Sequence, residues 1–300
     1  SWRYWSELRG PQSALGGTPG ELNSVSGNFT DTEKPVLLRV SVPDSVHLSI
    51  VFSEPMDPVN LLNPLLYIIS GPSITEVYPD SIDLTEDPLT CLLRLPFVVD
   101  GSVYELSIRY GFKDCPGNDL DNSQIFPFAI PIAADSGDVV INEILFNPQS
   151  GGVDFVEIYN RSHKVLNMQR WRIAEAPFED YSAVQTSVSI EEKQHLFFPG
   201  EYRVLSSNTS DIRLRYDNPG LRTFVSVPDF PDFNSGDGAV ILYDSLGNVL
   251  DQFSYSEDLH FPLLVDDKGV SLERLSPEIG STENSNWHSA AYSSGFATPG

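Results

Sequence analysis

The stretch Val139–Asn160, VVINEILFNPQSGGVDFVEIYN, decides the fold of this chain. It predicts two strands, because apolar residues alternate in both halves and the segment Gln149–Gly152 between them is typical of a turn. The first strand is predicted to place three side chains on each face: Val140, Asn142 and Ile144 on one, and Ile141, Glu143 and Leu145 on the other. In the second, Phe155, Glu157 and Tyr159 alternate with Val156 and Ile158.

Polar residues stand inside these otherwise apolar strands. Asp154 and Glu157 are three residues apart and are therefore predicted to point to opposite faces. Glu143 and Glu157 can meet across the hairpin, which would raise the pKa of one carboxyl and resemble a catalytic pair. The alternative is structural: one of them pairs with Arg274, or accepts hydrogen bonds from backbone amides at the edge of a sandwich. We predict the structural role.

Length and charge limit the classes of function. The 300 residues suggest two domains of about 150 residues each, and 42 acidic against 18 basic residues give a net charge of −24. Such a charge disfavours nucleic acid and anionic membrane surfaces as partners, since both attract basic patches. The chain has no apolar run of about 18 residues, so no membrane insertion is expected.

The sequence contains no recognisable catalytic constellation. Its five histidines lack H-x-H or H-E-x-x-H spacing, and G-x-S-x-G and phosphate-binding glycine motifs are missing. Cys91 and Cys115 form either one disulfide or two free thiols, and sequence alone leaves both open. We expect a non-enzyme without a cofactor.

Residues 1–34 are predicted to be a linker, because Gly, Pro, Ser, Thr and Asn dominate after Arg9. Trp5 precedes Thr18-Pro19-Gly20, just as Trp287 precedes Thr298-Pro299-Gly300. This similarity predicts that the segment is the end of a preceding copy of the last domain, in a tandem array. The first residues, SWRYW, are unlike a signal peptide, and we expect a mature or excised piece of a secreted protein.

Residues 35–134 are predicted to form a first all-β domain. Strand-like segments recur every 8 to 14 residues without helical periodicity, which indicates a β-sandwich. In the segment His47–Phe52, Leu48, Ile50 and Phe52 are predicted to share the buried face.

A loop late in this domain is crowded with possible calcium ligands. They are Asp114, Asn118, Asp119 and Asp121, all with hard oxygen atoms of the kind Ca²⁺ binds. The spacing does not fit the EF-hand loop, and Asp, Asn and Gly are also the ordinary residues of tight turns. Both interpretations stay open here, with the turn favoured.

Residues 135–300 are predicted to form a second all-β sandwich. Trp171 and Ile173 are expected on one buried face, and Ser210–Tyr216 is the one segment predicted to make a helical turn. The acidic stretch Asp217–Asp237 is predicted to be a long surface loop, with Phe224, Phe230 and Phe233 packed inward.

Two family resemblances support this organisation. HLSIVFSEPMDP, VYELSIRYGFKDCPGNDL and FPFAIP resemble bacterial immunoglobulin-like domains. The second half resembles the lamin tail domain, in the form found in secreted and cell-surface bacterial proteins. The matching segments, in order, are VVINEILFNP, DFVEIYNRS, LNMQRWRIA, FPGEYRVLSSN, NSGDGAVILYDSLGNVLDQFSY, KGVSLERLSP and NWHSAAYSSGFATPG.

The resemblance implies two immunoglobulin-like β-sandwiches in tandem, with spacer, anchoring or protein-interaction roles. The residues expected to form the structural signature of the second sandwich are Asn142, Glu143, Asp154, Glu157, Trp171, Arg274 and Trp287. We therefore predict a scaffold, adhesion or interaction module of a larger bacterial cell-surface, secreted or periplasmic protein. Its expected partner is a protein or a cell-surface glycan.

Two alternatives remain. The four tryptophans suggest a glycan-binding module, with or without calcium, although Trp171 and Trp287 are expected in the core. The second alternative is an accessory to a hydrolase, such as a nuclease or phosphatase, in the same chain.

Overall fold

The computed structural model describes residues 31–121, 125–216 and 223–300. Most of the expected linker 1–34 lies outside the described residues, as do Trp2, Trp5 and Thr18–Gly20. The first six residues of the predicted loop 217–237 also fall outside them.

The first sandwich has two antiparallel four-stranded sheets, with the orders β1-β2-β6-β5 and β4-β3-β7-β8. Its strands are β1 (Leu37–Asp44), β2 (His47–Phe52), β3 (Tyr67–Gly71), β4 (Ile74–Val77), β5 (Ser81–Leu84), β6 (Thr90–Arg94), β7 (Tyr104–Ile108) and β8 (Ile125–Phe128). A short helix α1 (Pro58–Leu61) and a 3-10 turn (Pro64–Leu66) connect β2 to β3.

The core of the first sandwich follows the alternation in its sequence. On β2, Leu48, Ile50 and Phe52 are all buried, as predicted. Asp57 caps α1 by accepting a hydrogen bond from the amide of Val59, and Pro58 starts that helix.

The second sandwich has a six-stranded sheet of order β16-β15-β10-β9-β19-β20 and a four-stranded sheet of order β13-β12-β17-β18. Strands β11 and β14 form a separate two-stranded sheet. The strands are β9 (Val139–Leu145), β10 (Phe155–Asn160), β11 (Leu166–Asn167), β12 (Arg172–Ala176), β13 (Thr186–Ser189), β14 (Leu196–Phe197), β15 (Tyr202–Ser206), β16 (Phe224–Ser226), β17 (Asp237–Tyr243), β18 (Val249–Ser256), β19 (Leu272–Arg274) and β20 (Trp287–Ser289).

Helical structure among the described residues of the second sandwich forms short segments. The predicted helical turn is α2 (Thr209–Arg215), capped by Asn208, whose side chain accepts a hydrogen bond from the amide of Asp211. Later in the chain, 3-10 turns lie at Glu257–Leu259, Asn284–Asn286 and Tyr292–Ser294.

The opening hairpin Val139–Asn160 forms as predicted, but β9 contains a bulge. Glu157 pairs with Glu143 and the next residue, Ile158, pairs with Ile141, so Asn142 is the extra residue. The predicted alternation across β9 is therefore wrong before the bulge. Ile141 faces the core between the sheets together with Ile144, instead of sharing a face with Glu143.

The outer face of the six-stranded sheet, the face turned away from the other sheet, carries a second small core. Leu145, Phe155 and Val204 pack there against Ile212 of α2 and against Ala297 from the last residues of the chain. Because this face is covered, β9 and β10 are buried on both sides.

The two sandwiches contact each other through a joint, which we define as β1 and the segment Glu191–Leu196. The Gln194 side chain accepts a hydrogen bond from the Val42 amide and donates one of 3.0 Å to the Val42 carbonyl. Arg39 lies 3.2 Å from Glu191, and Leu196 packs into the first core. Gln194 thus supplies hydrogen-bond partners for both backbone groups of Val42 on the free edge of β1.

The two cysteines are both free. Cys91 is buried in the first sandwich, and Cys115 is exposed. Of the two alternatives left open by the sequence, the structure has free thiols.

Candidate functional site

The most unusual feature of the second sandwich is a row of three glutamates on its outer face. Glu157 on β10 lies opposite Glu143 on β9, and Glu143 lies opposite Glu273 on β19. We call this row the glutamate ladder. Side chains opposite each other on neighbouring strands lie close together, and like charges there are unfavourable.

Each of the two buried carboxylates accepts hydrogen bonds from neighbouring groups. Glu143 accepts one of 2.6 Å from the Ser271 hydroxyl and one of 3.0 Å from the Thr298 amide. Glu157 accepts one of 2.8 Å from the Asn142 side chain and another from the Gly300 amide. The Thr298 hydroxyl donates to Glu273 at 2.8 Å. The ladder therefore binds the last residues of the chain.

The environment of the ladder favours protonated carboxyls. Burial and the neighbouring Glu157 raise the pKa of Glu143 to about 8. Burial raises the pKa of Glu157 to about 7, against the hydrogen bonds from Asn142 and Gly300. Within the described ranges, neither carboxylate forms an ion pair with a cation. Desolvation and the absence of a counter-charge both raise the pKa values of the two carboxyls.

A carboxyl pair with raised pKa values has the electronic properties of an acid–base catalyst. Here, however, Glu143 and Glu157 are almost completely buried, and their oxygens already accept hydrogen bonds from backbone amides, hydroxyls and the Asn142 side chain. A substrate atom has no access to them while the last residues remain in place. The arrangement can store a proton and fix the chain above it, which is a structural role.

Those last residues, Phe296–Gly300, lie across the ladder as a segment without regular secondary structure, which we call the strap. Ala297 and Pro299 are buried, whereas Thr298 and Gly300 direct their amides to the glutamates. Two strap residues have positive φ, 73° at Phe296 and 104° at Gly300. Pro299 has no N–H that would need a partner.

Arg274 does not contact the ladder, contrary to the ion pair considered from the sequence. Its guanidinium donates to the carbonyls of Ile141 at 2.6 Å and Ile279 at 2.7 Å, and lies 3.2 Å from Asp251. Asp251 in turn accepts from the Ile141 amide at 2.8 Å. Arg274 and Asp251 therefore satisfy the backbone of Ile141, which is in register with Ile158 on β10 but lies beyond the residues of β9 that pair with β19.

Both tryptophans of the second sandwich belong to its core. Trp287 stacks on Phe253 with ring centroids 3.7 Å apart and donates from Nε1 to the Ser281 carbonyl at 2.8 Å. Arg274 lies over the other side of this indole, 5.0 Å from its centroid. Trp171 is buried in the same core. Neither ring is available as a sugar-stacking platform.

Asp154 lies apart from the ladder and fixes a loop. Its carboxylate accepts a hydrogen bond of 2.8 Å from the Phe233 amide, and burial raises its pKa to about 7. Phe233 is buried and Phe230 packs beside it, with ring centroids 5.6 Å apart. Phe224 is also packed inward, but on β16, which pairs in parallel with β15. The loop predicted over 217–237 thus contains a strand.

The calcium candidates have partners in the protein. Asp114 is buried and accepts hydrogen bonds from the amides of Gly117 and Asn118 and from the Asn118 side chain. Asp119 lies 3.4 Å from Lys113, and Asp121 also has a partner. Across the described residues, no group of three or more His, Cys, Asp or Glu side chains is placed to hold a metal ion.

We expect Asp114→Ala to lower the free energy of unfolding by about 1–3 kcal/mol, because the amides of Gly117 and Asn118 and the Asn118 side chain would lose their shared acceptor. Asp114→Asn keeps an acceptor oxygen and should cost less. Thermal unfolding with calcium and with a chelator provides the second measurement. A calcium-dependent rise in Tm that Asp114→Ala removes would contradict the turn assignment.

An open pocket of about 460 Å³ borders the Arg274 cluster. Arg161, Arg274, Asp251 and Ser281 are among its lining residues. Arg161 donates to the carbonyls of Gly137 and Pro277, so this arginine ties the start of the second sandwich to the loop after β19.

Sequence reasoning missed three participants in these clusters. Asp251 stands in an ordinary amphipathic strand, and its partners Ile141, Arg274 and Ser281 are distant in sequence. Glu273 stands beside Arg274, but its pairing with Glu143 depends on strand order. Thr298 belongs to a repeated Thr-Pro-Gly, which does not indicate that it binds the ladder.

Comparison with known families confirms one sequence-based assignment. Residues 132–257 match the family model of the Lamin Tail Domain. Glu143 and Glu157 lie inside the matched range, whereas Glu273 and the strap follow it. The lamin tail domain resemblance inferred from the order of motifs is therefore confirmed for this part of the chain. No curated protein sequence matches the chain.

Several solved structures show distant similarity to the chain. The N-terminal part of the bacterial S-layer protein SbsC is 18% identical, with 59% of this chain and 42% of that chain covered and a TM-score of 0.30. An Escherichia coli alpha-2-macroglobulin fragment is 11% identical, with 80% and 90% covered and a TM-score of 0.28. A DUF4876 family protein from Bacteroides thetaiotaomicron is 11% identical, with 86% and 91% covered and a TM-score of 0.29.

The aligned region spans about two-fifths of the length of the S-layer structure. TM-scores near 0.3 carry no functional conclusion. Among the described residues, no helix combines the length and hydrophobicity needed to span a bilayer.

Proposed function

We propose that this chain is a non-catalytic spacer and interaction module of a larger bacterial cell-surface or secreted protein. Its domains are residues 35–134 and the lamin tail domain region 135–300, and its partner is another protein. The observation that carries this proposal is the joint, in which the second sandwich bonds to the edge strand of the first.

The joint combines three kinds of contact. Gln194 bonds to both backbone groups of Val42, Arg39 pairs with Glu191, and Leu196 enters the first core. Arg39 and Glu191 are each less than one-quarter exposed, so their attraction is screened less than that of a surface pair. Such a joint fixes the relative orientation of the sandwiches, as a spacer requires.

The glutamate ladder supports the non-catalytic part of the proposal. Its carboxyls are covered by the strap, and Trp171 and Trp287 are buried, so neither acid–base catalysis nor sugar stacking has an open site there. No observation among the described residues favours the glycan-binding alternative.

We expect Gln194→Ala to loosen the joint and to lower the free energy of unfolding by about 1 kcal/mol, since the two backbone groups of Val42 lose a shared partner. Nuclear magnetic resonance relaxation of the intact chain should give one common tumbling time for both sandwiches, and two different times in the variant. Gln185→Ala, at an exposed position, is the matched control. Independent tumbling in the wild-type chain would reject the spacer.

The non-catalytic proposal has a separate test. The intact chain should show no turnover of phosphodiester, phosphomonoester, glycoside or peptide substrates, with or without added divalent cations. Turnover that disappears in Glu143→Gln or Glu157→Gln would overturn the proposal, and specific binding on a glycan array would favour the glycan alternative.

A further inference from the structure

The strap can occupy the ladder only if each of its five positions meets a specific requirement. Position 296 needs positive φ, position 297 needs a side chain small enough to be buried beside Leu145 and Phe155, and position 298 needs a hydroxyl and an amide. Position 299 is a buried proline, and position 300 needs both an amide and positive φ.

A second segment of this chain meets all five requirements. Gly16-Gly17-Thr18-Pro19-Gly20 aligns with Phe296-Ala297-Thr298-Pro299-Gly300. A glycine, as at position 16, can adopt positive φ without the cost that Phe296 bears, and glycine at position 17 is smaller than Ala297. Threonine, proline and glycine are identical in the two segments. Residues 16–20 lie outside the described residues, so this comparison is one of sequence alone.

We propose that Gly16–Gly20 is a second strap, and that it docks on the glutamate ladder of another copy of this chain in place of Phe296–Gly300. The ladder is then an interaction surface for Thr-Pro-Gly segments. Its specificity comes from the hydrogen bonds that two backbone amides and one threonine hydroxyl donate to the three glutamates. The small apolar cluster around Ala297 adds a size limit at that position.

The resident strap competes with this docking. It is tethered to its own ladder, and a short tether gives an effective concentration in the millimolar range. A strap from another copy therefore binds measurably only at high chain concentration or when the resident strap is weakened. The contact joins two different surfaces, so it is head-to-tail and can continue from copy to copy. Docking of the second strap does not involve the joint, so its test is independent of the test of the spacer function.

The test compares three full-length chains by sedimentation equilibrium. Thr298→Ala with Gly300→Ala weakens the resident strap, because the hydroxyl is lost and alanine is strained at a φ of 104°. We expect this chain to self-associate at least ten-fold more tightly than the wild type. Adding Thr18→Ala and Gly20→Ala to it should restore the wild-type behaviour. Unchanged self-association in either comparison would overturn the proposal.

A second measurement uses the wild-type chain and does not require any variant to fold. A peptide of residues 11–20, PQSALGGTPG, added to several millimolar should shift the amide resonances of Thr298 and Gly300 in a saturable manner. The control peptide PQSALGGAPA should bind at least ten-fold more weakly. Equal effects of the two peptides, or none from either, would contradict docking at the ladder.

Discussion

Replacing Arg274 by methionine is expected to lower the free energy of unfolding by about 3–5 kcal/mol. The guanidinium is completely buried and supplies the donors for the carbonyls of Ile141 and Ile279 as well as the charge opposite Asp251. Methionine would fill much of the space but would leave a buried carboxylate without its counter-charge. Burial already raises the pKa of Asp251 above its usual value, even with Arg274 present.

Urea unfolding at neutral pH measures this loss. Arg94→Met is the matched control, because Arg94 is exposed on β6 and should change stability by less than about 0.5 kcal/mol. Arg274→Met combined with Asp251→Asn should be less destabilised than the single variant, since no unpaired charge then remains. A loss in Arg274→Met as small as in Arg94→Met would contradict a central role for this residue.

Local patterns in the sequence predict much of the fold. Leu48, Ile50 and Phe52 are buried because every second residue of a half-buried strand faces the core. The helix at Thr209–Arg215 follows from Asn208, which supplies an N-cap, and from acidic and basic residues in its first and last turns. These features depend on neighbours within a few residues, so one sequence is enough to find them.

The bulge at Asn142 could not be predicted in the same way. An inserted residue shifts the alternation by one position, and apolar residues on both sides of Asn142 conceal the shift, because both faces of β9 are buried. Of the two structural partners that the sequence offers for the ladder, backbone amides are present, at Thr298 and Gly300. Arg274 instead donates to the carbonyl of Ile141, beside the bulge.

The contacts of the glutamate ladder are a second feature that local sequence patterns predict only in part. The hairpin predicts that Glu143 and Glu157 meet, and the structure pairs them. The groups that satisfy Glu143 come from Ser271 and Thr298, which are 128 and 155 residues away in the chain. No periodicity links positions so far apart, so the strap becomes recognisable only when strand order is known.

Replacing Glu143 by glutamine is expected to stabilise the chain at pH 8 by on the order of 2 kcal/mol and to flatten its pH dependence. The folded-state pKa of Glu143 is raised to about 8, whereas an unfolded glutamate titrates near 4.5. Between these values the folded chain binds a proton that the unfolded chain releases. The wild-type free energy of unfolding must therefore fall as pH rises from about 4.5 to about 8.

The same reasoning applies to Glu157, whose folded-state pKa is raised to about 7. The groups that face the pair are Glu273 on β19 and Tyr202 and Tyr216 from β15 and the residue after α2. None of them supplies a positive charge. The pKa values of Asp154 and Glu54 are also raised to about 7, so their ionisation also lowers the free energy of unfolding as pH rises. Glutamine at both ladder positions should therefore reduce the dependence of stability on pH without removing it.

Urea titrations of the wild-type chain, Glu143→Gln, Glu157→Gln and the double variant between pH 5 and 8.5 test this expectation. Glu105→Gln, on the exposed side of β7, is the matched control and should keep the wild-type slope. Glutamine at position 143 retains an acceptor oxygen for Ser271 and Thr298. At position 157 it retains one for the Gly300 amide, and its NH2 group then requires the side-chain amide of Asn142 to turn its oxygen inward. The strap therefore remains bound while the charge is removed. If Glu143→Gln lost stability at pH 8, the carboxylate itself would be required by the strap, and burial of a protonated pair would no longer explain the ladder.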